Sequence, residues 1–244
     1  MTVSGKTAVV TGGARGIGRA IAQRLLDGGA RVLIADRDAE AGGSAAQALG
    51  AGCASVVCDV SDAAACDRLL QEAAEIFGPP DILICNAGIV RKATPIEEIS
   101  PETWNAVLGV NLMGCVYPTR AFAPMAKTRG SGRIIYMASV GGQVGGVSAE
   151  MTYAVSKAGV LGLTKAVARQ LAPHGITVNA VAPGAIVTGM TDTLEYAPTV
   201  KQGIPLGDYG EVNDIAEAVA YLASDAAKYV TGATLDVNGG MFMR

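Results

Sequence analysis

Tyr153 and Lys157 stand four residues apart in YAVSK, at the start of a stretch with helical apolar spacing. That interval puts both side chains on one face of a helix. A lysine ammonium beside a phenol favours the phenolate. A tyrosine so placed can give a proton to an alcohol oxygen or take one from it. Ser139 lies just past the apolar run Arg133–Met137 and could hydrogen-bond the same oxygen.

A second group sits near the start of the chain, in Thr11-Gly12-Gly13-Ala14-Arg15-Gly16-Ile17-Gly18. Glycines at 12, 16 and 18 allow a tight turn and let a phosphate approach the backbone, and the amides of a following helix then face that anion. With 32 glycines in the chain, this spacing is expected about 0.5 times by chance, so its weight comes from the strand pattern before it and the helix pattern after it. No Gly-Lys-Ser/Thr closes the loop, which argues against a nucleotide-triphosphate site. Asp36 ends the next apolar run, where an acid can accept both ribose hydroxyls of NAD and repel a 2′-phosphate. Arg15 and Arg37 pull the other way, since either could pair with that phosphate. The carboxylate weighs more, so NAD is expected ahead of NADP. Asp59-Val60 and Asn86-Ala87-Gly88 follow two further apolar runs and place polar or small residues where adenine or ribose would lie. Taken singly these are ordinary turn residues.

The elements that must position these groups alternate. Apolar runs at 7–11, 31–35, 54–58, 81–85, 133–137, 177–181 and 234–237 read as strands. Helical patterns lie between them at 16–27, 38–49, 62–77, 101–127, 152–171 and 212–223, with Pro101 suited to a first turn. Strands apolar throughout are covered on both faces, as in a parallel sheet. Alternating strands and helices imply right-handed crossovers and one α/β domain: a doubly wound (Rossmann), mostly seven-stranded parallel sheet with helices on both faces. Ligands in such sheets bind beyond the C-terminal strand ends, which is where every residue named above falls. Pro118, inside the long helical pattern at 101–127, should loosen the turn near Gly114.

Composition narrows the function. Of 244 residues, 50% are hydrophobic and 17% charged, which fits a globular domain. The net charge of −3 supplies no basic face for nucleic acid. No apolar stretch is long enough for a membrane span, and no secretory signal pattern opens the chain. The only histidine, His174, lies in a helix-end context, so histidine-based nucleophilic catalysis is not expected. Five cysteines without C-x-x-C pairs fit reduced thiols in a cytoplasm and no metal site.

Taken together, TGGARGIG at 11–18, Asp59-Val60, NAG at 86–88, Asn111, Ser139, YAVSK at 153–157, PGAIVT at 183–188 and GATLDVNGG at 232–240 resemble the short-chain dehydrogenase/reductase family over the whole chain. The resemblance implies that Tyr153 is the general acid/base, and that Lys157 readies it and holds the nicotinamide ribose. Ser139 would polarise the substrate oxygen, and Asn111 would bind a water linked to Lys157. Gly12, Arg15, Gly16, Ile17, Gly18, Asp36, Arg37, Asp59, Val60, Asn86, Ala87 and Gly88 would line the cofactor site, with Pro183, Gly184, Ile186 and Thr188 at its nicotinamide end. It also implies a homotetramer packed through the helices near 104–126 and 152–171.

Two departures bear on the substrate. Carrier-protein ketoreductases of the family read close to I-P-L-G-R-x-G, whereas this chain has IPLGDYG with Asp208 and Tyr209. Lys127, Arg129 and Arg169 could meet an acidic carrier, but His174 stands where an arginine is expected. The leading expectation is therefore an NAD-dependent oxidoreductase of a small secondary alcohol, polyol or ketone. An NADPH-dependent 3-oxoacyl thioester reductase is the alternative. A non-catalytic dinucleotide-binding regulator is a third possibility, which the intact Ser139, Tyr153, Lys157 and Asn111 argue against. Gln143 is expected to meet a polar substrate, and residues 189–208 to form a lid.

Overall fold

The structure, a computed structural model, describes residues 2–146, 149–189 and 198–243. Seven parallel strands form one sheet: β1 (Thr7–Thr11), β2 (Arg31–Asp36), β3 (Cys53–Val57), β4 (Ile82–Cys85), β5 (Gly132–Met137), β6 (Ile176–Pro183) and β7 (Thr234–Val237). Their spatial order is β3-β2-β1-β4-β5-β6-β7. The order reverses between β1 and β4, and that switch point opens a crevice beyond the strand ends.

The helices are α1 (Gly16–Asp27), α2 (Ala39–Leu49), α3 (Ala63–Phe77), α4 (Pro101–Leu108), α5 (Gly114–Arg129), α6 (Gly141–Val144), α7 (Met151–Leu171), α8 (Pro198–Gln202) and α9 (Val212–Ala223). Both sheet faces are covered. Leu69 and Leu70 of α3, Phe122 of α5 and Val160 and Leu171 of α7 pack with Val9, Leu33, Leu83 and Val178. On the other face, Ile21 and Leu25 of α1 and Ile215, Val219 and Leu222 of α9 pack with Val10, Ile34, Ile84 and Val181. Neighbouring residues of a strand thus feed opposite cores, which is why β1, β2 and β4 are apolar at every interior position. Among the described residues no helix is long and apolar enough to cross a membrane. All five cysteines carry free thiols.

The helix expected over 101–127 is present as one unbroken helical run from Pro101 to Arg129, with a wide turn inside it. It comprises α4, a π turn over Gly109–Met113, and α5. Pro118 lacks the N–H that would bond the Gly114 carbonyl one turn back, and the chain widens immediately before Gly114. A Cβ on Gly114 would stand 2.7 Å from Val60 Cγ2, so glycine lets α5 start directly beneath Val60. The wide turn also carries Asn111, whose side chain is fully buried.

Candidate active site

The crevice beyond the strand ends is a single cleft of about 990 Å³. It is built first by the turn after β1. Gly16 has φ +52°, a left-handed conformation suited to glycine, just as the chain enters α1. A Cβ on Gly18 would lie 2.1 Å from the Gly12 carbonyl oxygen and 2.5 Å from Asn86 Nδ2. Neither can yield, because Asn86 Nδ2 donates to both the Thr11 and Gly12 carbonyls at 3.0 and 2.9 Å. Asn86 therefore clamps the turn with its side chain and offers the cleft its edge. Replacing Gly18 with alanine forces overpacking of about 1–3 kcal/mol. At this chain length that lowers the melting temperature by roughly 2–10 °C, read by calorimetry, and weakens dinucleotide binding.

At the end of β2 both oxygens of Asp36 are held. One accepts the Ala14 amide at 3.2 Å and the other the Asp38 amide at 3.2 Å. The carboxylate is thus fixed against the glycine turn, facing the cleft. Beyond β3, Asp59 accepts the Ser61 hydroxyl and amide at 2.6 and 2.9 Å. Those bonds, with a smaller contribution from the nearby Arg37, hold its carboxyl below the usual range.

The chemical end lies where β5 meets α7. Ser139 Oγ accepts the Gly141 amide at 3.1 Å, leaving its proton free to turn toward a ligand. Lys157 is only 4% exposed. Its Nζ donates to the Met137 carbonyl at 2.7 Å and lies 5.6 Å from the centre of the Tyr153 ring. Gly141 stands against both reacting hydroxyl residues, since a Cβ there would meet Ser139 Oγ at 3.5 Å and Tyr153 Cε1 at 3.8 Å.

Every residue expected to line the cofactor site borders this one cleft, as do Ser139, Tyr153 and Lys157. Two expected residues do not. Gln143 is not among the residues lining the cleft, and its Nε2 donates to Asp236 at 2.7 Å. It stands on α6 and reaches a strand 93 residues later, a pairing that its local sequence does not encode. Asn111 lies behind the cleft wall. Its Oδ1 accepts the Ile89 amide at 2.8 Å, and its Nδ2 donates to the Ile89 carbonyl at 2.9 Å and to Ser156 Oγ at 3.0 Å. Both amide protons are committed to protein, so its first role is to fasten the chain after β4 to α7. Of the expected lid, residues 190–197 lie outside the described residues. Val200 and Gly203, in and just after α8, line the cleft.

Sequence reasoning missed several lining residues: Ile89, Val90, Val110, Val144, Ala149 and Met241. Ile89 and Val90 directly extend NAG, so position alone could have flagged them. Val110 lies in the π turn and Val144 ends the four-residue α6, while Ala149 and Met241 stand on a loop and the C-terminal turn, where no periodicity points inward.

The cleft accommodates a dinucleotide on physical grounds. It has a side-chain-free turn at a helix N-terminus for the pyrophosphate, a fixed carboxylate for a ribose, and a buried ammonium at the reacting end. A family model described as enoyl-(acyl carrier protein) reductase matches residues 12–242. The chain belongs to the short-chain dehydrogenase/reductase family. A 3-oxoacyl-[acyl-carrier-protein] reductase of Staphylococcus aureus is 42% identical, with 98% of each chain covered. The enzyme of that name from Escherichia coli is 40% identical over the full length of both chains. Among solved structures, a 3-ketoacyl-(acyl-carrier-protein) reductase of Brucella melitensis complexed with NADH superposes with a TM-score of 0.96 at 35% identity, covering 99% of this chain and 100% of its own. This oxidoreductase thus shares its whole architecture with carrier-protein ketoreductases, despite Asp208, Tyr209 and His174.

Proposed function

We propose that this chain is an NADH-dependent reductase of 3-oxoacyl thioesters. The observation that carries the substrate is the lining beyond the strand ends and the glycine turn. Val90, Val144, Ala149, Val200 and Met241 give it an apolar wall. An acyl chain can cover such a wall, whereas a polyol would bury hydroxyls against it without partners. The relatives named as 3-oxoacyl reductases support the same substrate class over the small secondary alcohol, polyol or ketone expected from the departures at Asp208, Tyr209 and His174. Asp36 supports NADH, because a carboxylate held by two amides cannot swing away from a 2′-phosphate.

When bound, the nicotinamide ring supplies the hydride. The residues of this chain manage the oxygen. Ser139, its own oxygen occupied by the Gly141 amide, points its proton at the substrate carbonyl oxygen. Tyr153 gives up its phenolic proton as negative charge grows there. Lys157, tethered to the Met137 carbonyl, stabilises the phenolate left behind. In the reverse direction Tyr153 takes the proton from an alcohol.

Two further features are part of the reading. Ala158, Gly162 and Ala166 leave an exposed small-residue face on α7, which supports packing between subunits and a homotetramer. The free thiols support a reducing, cytoplasmic setting.

The test follows nicotinamide absorbance with an acetoacetyl thioester, using NADH and NADPH in parallel. Thioester-dependent oxidation is expected with NADH, at about tenfold or greater kcat/KM over NADPH, the scale of one hydrogen bond to a charged group. No oxidation with either cofactor overturns the substrate assignment. Faster oxidation of NADPH overturns the assignment of Asp36.

A further inference from the structure

The two arginines that the sequence places beside the adenosine ribose do not have equal freedom. Arg15 lines the cleft from within the glycine turn, the natural place from which to grip a 2′-phosphate. Its guanidinium instead bonds Asp38 Oδ2 at 2.5 Å. Asp38 does not depend on that contact for its position. Its other oxygen, Oδ1, accepts the Ala41 amide at 2.9 Å and caps the N-terminus of α2. Its own amide is bonded to Asp36. The cap fixes the carboxylate, and Arg15 comes to it. The Ala41 amide and then Arg15 hold the Asp38 carboxyl below its ordinary range, so it stays charged at neutral pH. Arg37, the second candidate cation, exerts its field on Asp59.

We infer that Asp38 is a cofactor-specificity residue: by holding Arg15 against the start of α2, it withholds from a 2′-phosphate the guanidinium best placed to bind it. The inference rests on the NADH reading and extends it. Asp36 would meet the ribose, and Asp38, which does not itself line the cleft, removes the cation that would otherwise offset Asp36. The side chains of Arg15 and Asp38 are 74% and 41% exposed, so the pair is weak and its release has a moderate effect.

Asp38→Asn is the discriminating variant, because asparagine caps a helix as well as aspartate while losing the charge. Dissociation constants are read by titrating nicotinamide fluorescence without substrate, so that no turnover enters. Asp38→Asn is expected to tighten NADPH binding roughly fivefold, the scale of one exposed ion pair, and to leave NADH within about twofold. Adding Arg15→Gln to Asp38→Asn should erase the gain. An unchanged NADPH constant in Asp38→Asn overturns the inference, as does a gain that survives Arg15→Gln. Asp36→Ala separates the two levels. If it raises the NADPH-to-NADH affinity ratio while Asp38→Asn does not, only the role of Asp38 falls. If neither variant moves the ratio, the NADH reading falls with it.

Discussion

Replacing Tyr153 with phenylalanine is expected to lower kcat about 1000-fold, within the range typical of a lost general acid. The substitution removes one oxygen and keeps the ring. The ring's neighbours, Gly141 and the Lys157 ammonium 5.6 Å from its centre, keep their contacts. Stability and cofactor affinity should therefore stay within about twofold of the parent, which confines the loss to the chemical step. Ser139 is not expected to substitute, because an aliphatic hydroxyl is a far weaker acid than a phenol. Adding Ser139→Ala to Tyr153→Phe should accordingly cost less than the two single losses multiplied, since both groups act on one oxygen. A Tyr153→Phe enzyme retaining a tenth or more of the parent turnover would remove Tyr153 from the mechanism.

The strand ends were legible because backbone demands write themselves into sequence. Gly18 has to be glycine where α1 crosses the Gly12 carbonyl, and Asp36 has to end an apolar run to reach the cleft. The alternation of fully apolar runs with helical patterns likewise gives the doubly wound sheet, since strands covered on both faces have no polar side to show. What failed to show are pairings between elements. Gln143 with Asp236, Arg15 with Asp38 and Asn111 with Ile89 join residues 93, 23 and 22 positions apart. Each is decided by where two elements pass in space, which local spacing does not carry. The π turn at 109–113 shows in the sequence only through Pro118, which loosens the turn near Gly114. One extra residue in a turn leaves the apolar pattern of a long helix almost unchanged over a short window. The apolar wall was hidden as well, because Val144 ends the four-residue α6 and Ala149 and Met241 stand on a loop and the C-terminal turn. On the proposed function, the family motifs would hold the cofactor and the proton donor, and these apolar lining residues would meet the acyl chain.

Asn111→Ala is expected to destabilise the fold by about 2–5 kcal/mol, the largest stability loss among the residues of the site. Its side chain satisfies the Ile89 amide, the Ile89 carbonyl and Ser156 Oγ from a position with no solvent access. Alanine replaces none of these bonds and leaves a void too tightly enclosed for easy repair. A polar group left buried without a partner costs about 1–3 kcal/mol, so the Ile89 amide and carbonyl dominate the sum. Ser156 suffers less, because its hydroxyl also donates to the Tyr153 carbonyl at 2.6 Å. For a chain of this length the melting temperature should fall by roughly 5–15 °C. Turnover should fall too, even at temperatures where the variant is folded. A Cβ on Gly88 would stand 3.5 Å from Asn111 Oδ1 and 3.6 Å from Lys157 Nζ, so the segment that Asn111 fastens lies directly against the lysine. Slackening that segment lets Lys157 drift from the Tyr153 ring, which lowers kcat more than it raises the cofactor dissociation constant. A variant that melts within about 2 °C of the parent, well short of the fall expected for a chain of this length, would show that Ile89 finds other partners, and that Asn111 is not the fastening between β4 and α7.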